Sequence, residues 1–405
     1  MATTKTIPAS SNLGSSFWLT VTILGIFVLI GAGAWVYQLL FGAAAVNTSD
    51  YVPWGLYIVM YLFFAGLGAG TLILSAGVVA LDLQSFKSIV RPGLTIAVAA
   101  ITAAGLVILA DLGRPNLAWR IIINANVTSP LRWDFLAIVL TIILGLLLLW
   151  FDIKGVSKSV RRTTAWMVLL SGLGLRMVSG WLLSLQVARP YWHSPLIGPI
   201  LLLSALVGGL SLLALVGITL RRIGWLQFDG SMFQHMARWL AVFLVIDFIF
   251  LLNDIVTKAY VGAEPEILTL QELVSGRLAT LFWVEVLLGM AVPLALLIWR
   301  RTPQTLAWAA SLAIIGIFLK LFNLLRVGYL LAASNLSVGL HFAQILPKPG
   351  GYETVYSSTV GGYQMTWPYS PSAVEITVVL GLLALFLLGS LSAIRYLVIY
   401  RAEEV

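Results

Sequence analysis

The chain has 405 residues, of which 60% are hydrophobic and 10% are charged. This composition, with a mean hydropathy of +0.99, excludes a soluble globular protein and predicts a polytopic membrane protein. Because the sequence contains no cysteine, disulfides, iron–sulfur ligation and thiolate metal sites are excluded in this chain.

Ten apolar runs are long enough to cross about 30 Å of hydrocarbon. In chain order they cover residues 17–41, 54–80, 93–112, 133–151, 163–187, 195–220, 239–260, 281–299, 305–331 and 374–396. The first run is too long for a signal-peptide core and has no small-residue cleavage pattern, so we expect it to be retained as a span. The predicted fold is all-α, with two four-helix bundles flanked by the first and last helices.

The lysines and arginines predict the orientation of these spans. An even number of spans puts both termini on one side, where 14 of the 24 cationic residues then fall, against seven on the other side and three within spans. Since cytoplasmic loops carry the excess positive charge, we expect both termini on the cytoplasmic side of a bacterial or archaeal membrane. The net charge of +8 then reflects basic loops beside anionic lipid and requires no nucleic acid.

The spans divide the chain into six predicted segments. These are a cytoplasmic tail (1–16), a flanking helix (17–41), a first four-helix bundle (54–187), a second bundle (195–331), an outer cap loop (332–373) and a last helix with a cytoplasmic tail (374–405). The cap loop contains Trp367, Tyr352, Tyr356 and Tyr363, and aromatic residues are rare in disordered segments. We therefore expect an ordered cap that docks a partner.

The second span begins with two tyrosines and a run of glycines. Tyr57 and Tyr61 lie one helical turn apart, which predicts that their hydroxyls point from one face. Gly66 and Gly70 provide a flat surface that a second helix or a flat ligand could approach closely. A tight helix contact with interfacial tyrosines is the alternative explanation.

Charged residues inside spans are costly and need a reason. Seven of those within the spans are singled out: Arg176, Asp247, Asp254, Glu285, Lys320, Arg326 and Glu375. They are either buried ion pairs, with Lys320 or Arg326 against Glu285 or an aspartate, or a proton relay or cavity that opens outward. The helices supply few ionisable groups on the cytoplasmic side of Asp247, so the sequence contains no complete proton path across the membrane.

The three histidines, His193, His235 and His341, all fall in loops or at helix ends. A transmembrane haem needs axial ligands such as paired histidines inside the bundle. We therefore expect no haem and no metal site in this chain. His193, which lies in a Pro-Tyr-Trp-His-Ser-Pro segment at the outer face, is the histidine that we place near a site.

Five short motifs follow one another along the chain. They are Trp-Gly-Leu-Tyr at 54–57, Asp-Leu-Gly-Arg-Pro at 111–115, Ser-Pro with Trp-Asp at 129–134, Phe-Trp-Val-Glu at 282–285 and Tyr-Ser-Pro-Ser-Ala-Val-Glu at 369–375. Together they resemble the NrfD family of quinone-interacting membrane subunits, the polysulfide reductase type. The later motifs resemble its ten-helix branch, which includes the hydrogenase-2 membrane subunit and the alternative complex III subunits.

This resemblance implies a subunit that binds menaquinone or ubiquinone near the outer face. It also implies electron exchange with a docked, ferredoxin-like iron–sulfur subunit, which is joined in turn to a catalytic redox subunit. In several family members a histidine of the second helix hydrogen-bonds the quinone, and Tyr61 occupies the matching place here. A tyrosine can donate to a quinone carbonyl but carries protons poorly because its ordinary pKa is near 10. Proton exchange is then expected at Asp111, Asp134 or His193.

A quinone site also has physical requirements of its own: an apolar slot, donors to the carbonyls and an acid–base group near water. Helices two to four supply all three at one depth, so we expect the first bundle (54–187) to be the quinone-binding one. The candidate quinone-binding residues are Trp54, Tyr57, Tyr61, Gly66, Arg114, Ser129 and Trp133. Local structural roles are open alternatives, since Asp111 could pair with Arg114 in a turn and Asp134 could face the positive end of its helix dipole.

Two other classes of function compete with the quinone subunit. A secondary transporter would use Asp247 and Lys320 as its substrate site, but it would need broken helices at corresponding places in two repeats. The spans are expected to be long and uninterrupted. A purely structural membrane anchor is the third possibility.

Overall fold

The computed structural model describes residues 14–48, 52–224, 230–331, 346–348, 351–353, 358–360, 363–365 and 369–396. Within these ranges ten helices are long and apolar enough to cross a membrane, which confirms the predicted number of spans. The all-α membrane fold is likewise confirmed.

Thirteen α-helices follow one another along the described chain. They are α1 (Ser15–Phe41), α2 (Leu56–Ala80), α3 (Lys87–Asp111), α4 (Arg120–Ile123), α5 (Pro130–Lys154), α6 (Lys158–Ser184), α7 (Ile197–Arg222), α8 (Gly230–Val261), α9 (Glu264–Val274), α10 (Ala279–Val286), α11 (Val292–Trp299), α12 (Pro303–Gly328) and α13 (Ala373–Ile394). A π-helical turn, Leu287–Ala291, joins α10 to α11 within one span. We call the inner face the one where α1 begins and α13 ends, and the opposite one the outer face.

Several local features differ from the sequence prediction. Short helices α4 and α9 lie in connections that we predicted as loops. Helix α3 begins six residues before position 93 and runs through Pro92, a residue type that usually marks a helix boundary. The eighth span is interrupted by the π turn just before Pro293, whose missing N–H removes a helical hydrogen bond. The expectation of uninterrupted spans is therefore wrong for this span.

Two small hairpins lie in the predicted cap loop. Strand β1 (Leu346–Lys348) pairs antiparallel with β2 (Gly351–Glu353), and β3 (Ser358–Val360) pairs antiparallel with β4 (Tyr363–Met365). The rest of the loop between residues 332 and 368, including Tyr356 and Trp367, lies outside the described residues, as does His341.

Helix α2 is the most enclosed span, since 83% of the residues in its apolar 18-residue stretch are buried. Its glycines bring backbones into direct contact: a Cβ on Gly70 would lie 1.7 Å from the backbone oxygen of Ala205, and one on Gly209 would lie 2.2 Å from the backbone carbon of Gly70. Such contacts are the usual basis of close helix packing in lipid. They join α2 of the first predicted bundle directly to α7 of the second.

The first and last spans pack on each other. On α1 the less exposed residues recur every three or four positions, a pattern that forms one continuous stripe along the helix. They include Val21, Leu24, Val28 and Gly31. At the centre of the contact a Cβ on Gly31 would lie 2.5 Å from the Cα of Gly381. The remaining faces of α1 are apolar and exposed, as lipid contact requires.

Glu375 joins three segments at the outer face. Its buried carboxylate accepts hydrogen bonds from the backbone N–H of Asn47 (3.1 Å) and of Ser372 (2.8 Å) and from the hydroxyl of Tyr369. Since Asn47 follows α1 and the Tyr369 hydroxyl also accepts from the backbone of Leu56 at 2.9 Å, one side chain ties together the ends of α1, α2 and α13.

The contact between α2 and α7 can be tested with a single methyl group. We expect Gly209→Ala to lower the melting temperature and the yield of the detergent-solubilised protein, because the added Cβ would overlap the backbone of Gly70. Gly174→Ala is the matched control, since nothing lies within 4 Å of a Cβ at Gly174. Equal stability of the two variants would contradict this packing.

Candidate functional site

Tyr61, Asp134 and Ser179 form a buried polar cluster between α2, α5 and α6. The Tyr61 hydroxyl donates to Oδ2 of Asp134 and lies 3.0 Å from Oγ of Ser179, which in turn donates to Oδ1 of Asp134 at 2.9 Å. All three side chains are almost completely buried. Each residue lies about one turn from the outer end of its helix, so three spans present their polar groups at one depth.

Arg176 lies beside this cluster rather than among the other charged residues in spans. Its guanidinium is buried and donates to the backbone oxygens of Leu62 and Leu201, both at 3.2 Å. Its Nε has no hydrogen-bond partner among the described residues. Gly66 makes room for this group, because a Cβ there would lie 3.5 Å from the guanidinium carbon.

Tyr57 and Tyr61 contact different helices although they lie one turn apart. The Tyr57 hydroxyl donates to the side-chain oxygen of Gln38 on α1, and the Gln38 amide donates to the backbone oxygen of Ala110 at 3.2 Å. Asp111, at the end of α3, is half-buried and lies within electrostatic range of Tyr57. Helix α2 therefore carries two polar groups, one facing α5 and α6 and one facing α1 and α3.

The remaining candidates lie nearer the outer surface. Arg114 is exposed. The backbone oxygen of Ser129 accepts hydrogen bonds from the backbone N–H groups of Arg132 and Trp133 at the start of α5. The Trp133 ring is 49% exposed and its Nε1 donates to the backbone oxygen of Val127 at 2.7 Å. None of these side chains reaches the Tyr61 cluster through a described hydrogen bond.

His193 is exposed too, with Nδ1 2.9 Å from the backbone oxygen of Ser184. Its neighbour Trp192 is buried instead and stacks on Trp54, with ring centroids 5.8 Å apart. Trp192 Nε1 donates to the backbone oxygen of Leu324 at 2.7 Å. The loop before α7 therefore links the start of α2 to the end of α12.

Asp247, Glu285 and Lys320 form a second buried cluster in the other half of the protein. Lys320 Nζ lies 2.8 Å from each carboxylate oxygen of Asp247 and 3.1 Å from Oγ of Ser204. Glu285 accepts a 2.8 Å hydrogen bond from the amide of Asn323 rather than an ion pair. Lys320 is thus paired with Asp247, as the ion-pair explanation allows, whereas Glu285 has a neutral partner among the described residues.

A further ion pair extends this cluster toward the outer face. Lys258 and Asp254, one turn apart on α8, are both buried and form a salt bridge, and Ser194 donates to Asp254 at 3.0 Å. The Lys258 ammonium also lies 3.9 Å from the ring centroid of Tyr191. Burial, followed by the nearby carboxylates, raises the pKa of Tyr191 well above its ordinary value, so this loop hydroxyl keeps its proton.

The other two charged residues within spans are held by local contacts. Arg326 Nε donates to the backbone oxygen of Tyr369 at 2.9 Å, and Glu375 forms the junction described above. A small cavity adjoins Asp247, Glu285 and Lys320, with room for about one water molecule. Among the described residues, no three His, Cys, Asp or Glu side chains are grouped so as to hold a metal ion.

Sequence reasoning missed several members of these clusters. Ser179 and Ser204 are serines within predicted spans, Gln38 lies on a helix assigned only a flanking role, and Lys258, near the outer end of its span, is not among the charged residues named above. Spacing gives a weak signal for Lys258, which lies four residues after Asp254 on the same face. The other three gain a polar partner only through tertiary packing.

The Asp247–Lys320 pair gives a stability prediction. Lys320→Met should destabilise the purified protein by roughly 3–5 kcal/mol, because it leaves a buried carboxylate unpaired. The double variant Lys320→Met/Asp247→Leu should recover much of this loss. Thermal unfolding in detergent measures both, with Lys158→Met as the control because the Lys158 side chain is 67% exposed in its salt bridge. A single variant as stable as the wild type would show that the pair contributes nothing.

Comparison with known proteins identifies the family. A family model described as "Polysulphide reductase, NrfD" matches residues 44–333. A protein of Halobacterium salinarum, provisionally named as the membrane C-subunit of a dimethyl sulfoxide reductase, is 30% identical over 431 aligned positions, which cover 99% of this chain and 95% of that protein. The C-subunit of the selenate reductase of Mesobacillus selenatarsenatis is 23% identical, and the alignment covers 91% of each chain.

A third relative, the Hdr-like menaquinol oxidoreductase integral membrane subunit of Archaeoglobus fulgidus, is 25% identical over 91% of this chain and 90% of that protein. The family model covers well over half of the chain, and the first relative extends over nearly all of it. The resemblance inferred from the five motifs is therefore confirmed, and the chain belongs to the NrfD family of polytopic membrane proteins.

Proposed function

We propose that this chain is the quinone-exchanging membrane subunit of a multi-subunit oxidoreductase. Family membership and the names of its relatives, which are subunits of reductases and of a menaquinol oxidoreductase, support a membrane subunit of a redox complex. The finer assignment depends chiefly on the buried cluster of Tyr61, Asp134 and Ser179 with Arg176 beside it.

The donor set of this cluster fits a quinone. Arg176 Nε is a buried donor without a partner among the described residues, Tyr61 supplies a hydroxyl, and Asp134 supplies an acid–base group hydrogen-bonded to that hydroxyl. The surrounding helix faces are apolar, as a ring and tail require. A bound quinone contributes two-electron, two-proton chemistry. Menaquinone and ubiquinone share the features that these residues would recognise.

Each residue then has a defined task. Arg176 Nε would donate a hydrogen bond to a quinone carbonyl. Tyr61, whose one hydroxyl hydrogen is donated to Asp134 in this structure, would donate to the carbonyl when Asp134 is protonated, and Asp134 would accept or return the proton at that end. Ser179 holds the Asp134 carboxylate in position through its 2.9 Å hydrogen bond. Asp111 is half-buried at the outer end of α3, so it carries protons between the site and water. Tyr57 on α2 and Trp54, just before α2, would lie between the quinone site and the outer surface.

We also propose a protein partner on the outer face. The relatives are named as subunits of reductases, and the sequence contains no cysteine to hold an iron–sulfur cluster, which supports electron exchange with a docked subunit. A ferredoxin-like iron–sulfur protein, attached to a catalytic redox subunit, fits this need. The loop after α3 offers exposed Arg114, Trp119 and Arg120 near the quinone cluster, and Trp and Arg are frequent interface anchors.

A second activity, proton translocation, is favoured by the cluster in the other half. Ionisable groups continue from Asp247, Glu285 and Lys320 to Asp254 and Lys258 at the outer end of α8. Glu285 accepts from a neutral amide, so it is the carboxyl in this series best suited to gain and lose a proton. Basic inner loops favour cytoplasmic termini in a bacterial or archaeal membrane, which makes the outer ends the exit.

The quinone assignment can be tested by removing one hydroxyl. In the purified complex, Tyr61→Phe should lower quinol-linked turnover roughly 10- to 100-fold, since a hydrogen bond to a charged group contributes about 1.5–3 kcal/mol. Tyr37→Phe, on an exposed face of α1, is the control. Co-purified subunits and quinone are measured in the same samples. Unchanged quinol kinetics in Tyr61→Phe would reject the site, and a preparation without redox partners would favour a transporter or an anchor.

Proton translocation gives a separate test. Glu285→Gln keeps the shape and the hydrogen-bonding capacity of the side chain but cannot carry a proton. We expect turnover close to that of the wild type with a loss of proton release from reconstituted vesicles, measured with a pH-sensitive dye. A variant that still builds the full gradient would exclude Glu285 from the path, and a variant that fails to assemble would assign it a structural role.

A further inference from the structure

The cavity beside Asp247, Glu285 and Lys320 lies on one side of these charges. Spans containing α7 and α10 run from the outer to the inner face, whereas α8 and α12 run the other way. Each uncharged lining residue therefore lies closer to the inner face than the residue of the cluster on its own span, which is Ser204, Asp247, Glu285 or Lys320. These lining residues include Val207, Leu244, Met290, Ala313, Gly316 and Ile317. The cavity therefore lies on the inward side of the charges.

Small residues and irregular backbone shape this cavity. Gly289 lies in the π turn and Gly316 faces it on α12, where a Cβ on either residue would come within 2.4 Å of the other backbone. Both glycines line the cavity, so no side chain from either position can fill it. A π turn inside a span is uncommon and often marks a functional position.

Ser211 continues the polar face of α7 inward from the cavity. It lies seven residues beyond Ser204, so the two hydroxyls share a helix face about 10.5 Å apart along the axis. Ser204 bonds to Asp247 and Lys320, and Val207 of the cavity wall lies between the two serines. The Ser211 hydroxyl is fully buried and has no hydrogen-bond partner among the described residues. Buried hydroxyls of this kind are commonly satisfied by internal water.

We propose that this cavity is a water-binding site that continues along α7 to Ser211, forming a hydrated passage that leads protons from the inner half of the membrane to Asp247, Glu285 and Lys320. The inference rests on the proposed proton translocation and adds the segment for which the sequence provides no ionisable side chain. Because water conducts protons along hydrogen bonds, a hydrated passage would need no ionisable side chain in this segment.

The absence of cysteine from the sequence permits a direct test. Ser211→Cys is nearly isosteric, and its S–H group exchanges with deuterium only where water reaches it. The infrared S–H band of the intact complex, after subtraction of the wild-type spectrum, is followed on transfer to D₂O. Val168→Cys on α6 is the matched control, because Val168 is fully buried among apolar residues at a similar distance from the inner end of its helix.

We expect the thiol at position 211 to exchange at least tenfold faster than the thiol at position 168. Equal, slow exchange would overturn the passage. Val207→Cys provides a second position in the cavity wall, so the proposal stays testable if the Ser211 variant fails to assemble. The exchange measurement does not depend on turnover, so it is independent of the gradient measurement. Fast exchange at position 211 together with a normal gradient in Glu285→Gln would support the water site and reject the proton relay through Glu285. Slow exchange at position 211 together with a lost gradient in Glu285→Gln would reject the water site and support the relay.

Discussion

The direct contact between the backbones of α2 and α7 determines where the polar groups of this protein can lie. Gly70 and Gly209 leave no space for side chains where they meet. The small Thr71 hydroxyl is held in the seam by the backbone oxygens of Leu67 and Gly209, and larger polar side chains of both helices point away from it. Tyr61 points toward α5 and α6, and Ser204 toward α8 and α12. The seam therefore separates the Tyr61 cluster, where we propose the quinone site, from a cluster of ion pairs, although the two clusters lie on adjacent helices.

The two clusters satisfy the same constraint by different means. Lipid offers no hydrogen bonds, so each polar group within a span must find its partner in protein or internal water. In the first cluster a single carboxylate accepts from two hydroxyls, while the nearby arginine uses backbone oxygens. In the second, two aspartates are each matched by a lysine. Glu285 is the carboxylate of this half that has neither arrangement.

The sequence predicted the spans well because the signal for a span is simple: about 20 apolar residues in a row. It also identified Tyr61 and Asp134 as candidates, through their motifs, before their contact was known. It could not identify Ser179 or Gln38, because an uncharged serine or glutamine in a span becomes informative only when its neighbour in space is known. The one-turn spacing of Tyr57 and Tyr61 suggested a shared role. However, other helices surround α2, and the hydroxyls of the two tyrosines contact different helices.

Local irregularities were the least predictable part of the fold. Pro92 lies within α3, and the π turn before Pro293 lies in a span that is apolar apart from Thr280 and Glu285. Hydropathy averages over such features, since the residues remain apolar whether or not the helix is regular. In this protein the π turn lies in the wall of the cavity beside Glu285. Hydropathy therefore cannot detect a backbone irregularity that lies next to the proposed proton path.

The pairing of α1 with α13 has a consequence for biosynthesis. Gly31 and Gly381 are 350 positions apart in the chain, which takes roughly 20–70 s to synthesise at about 5–20 residues per second. During that interval α1 remains in the bilayer without its final neighbour, which its apolar surface permits. The junction at Glu375, which ties α13 to the start of α2, likewise cannot form earlier. The wall of the proposed quinone site that contains Tyr57 is therefore completed only after the last span has been inserted.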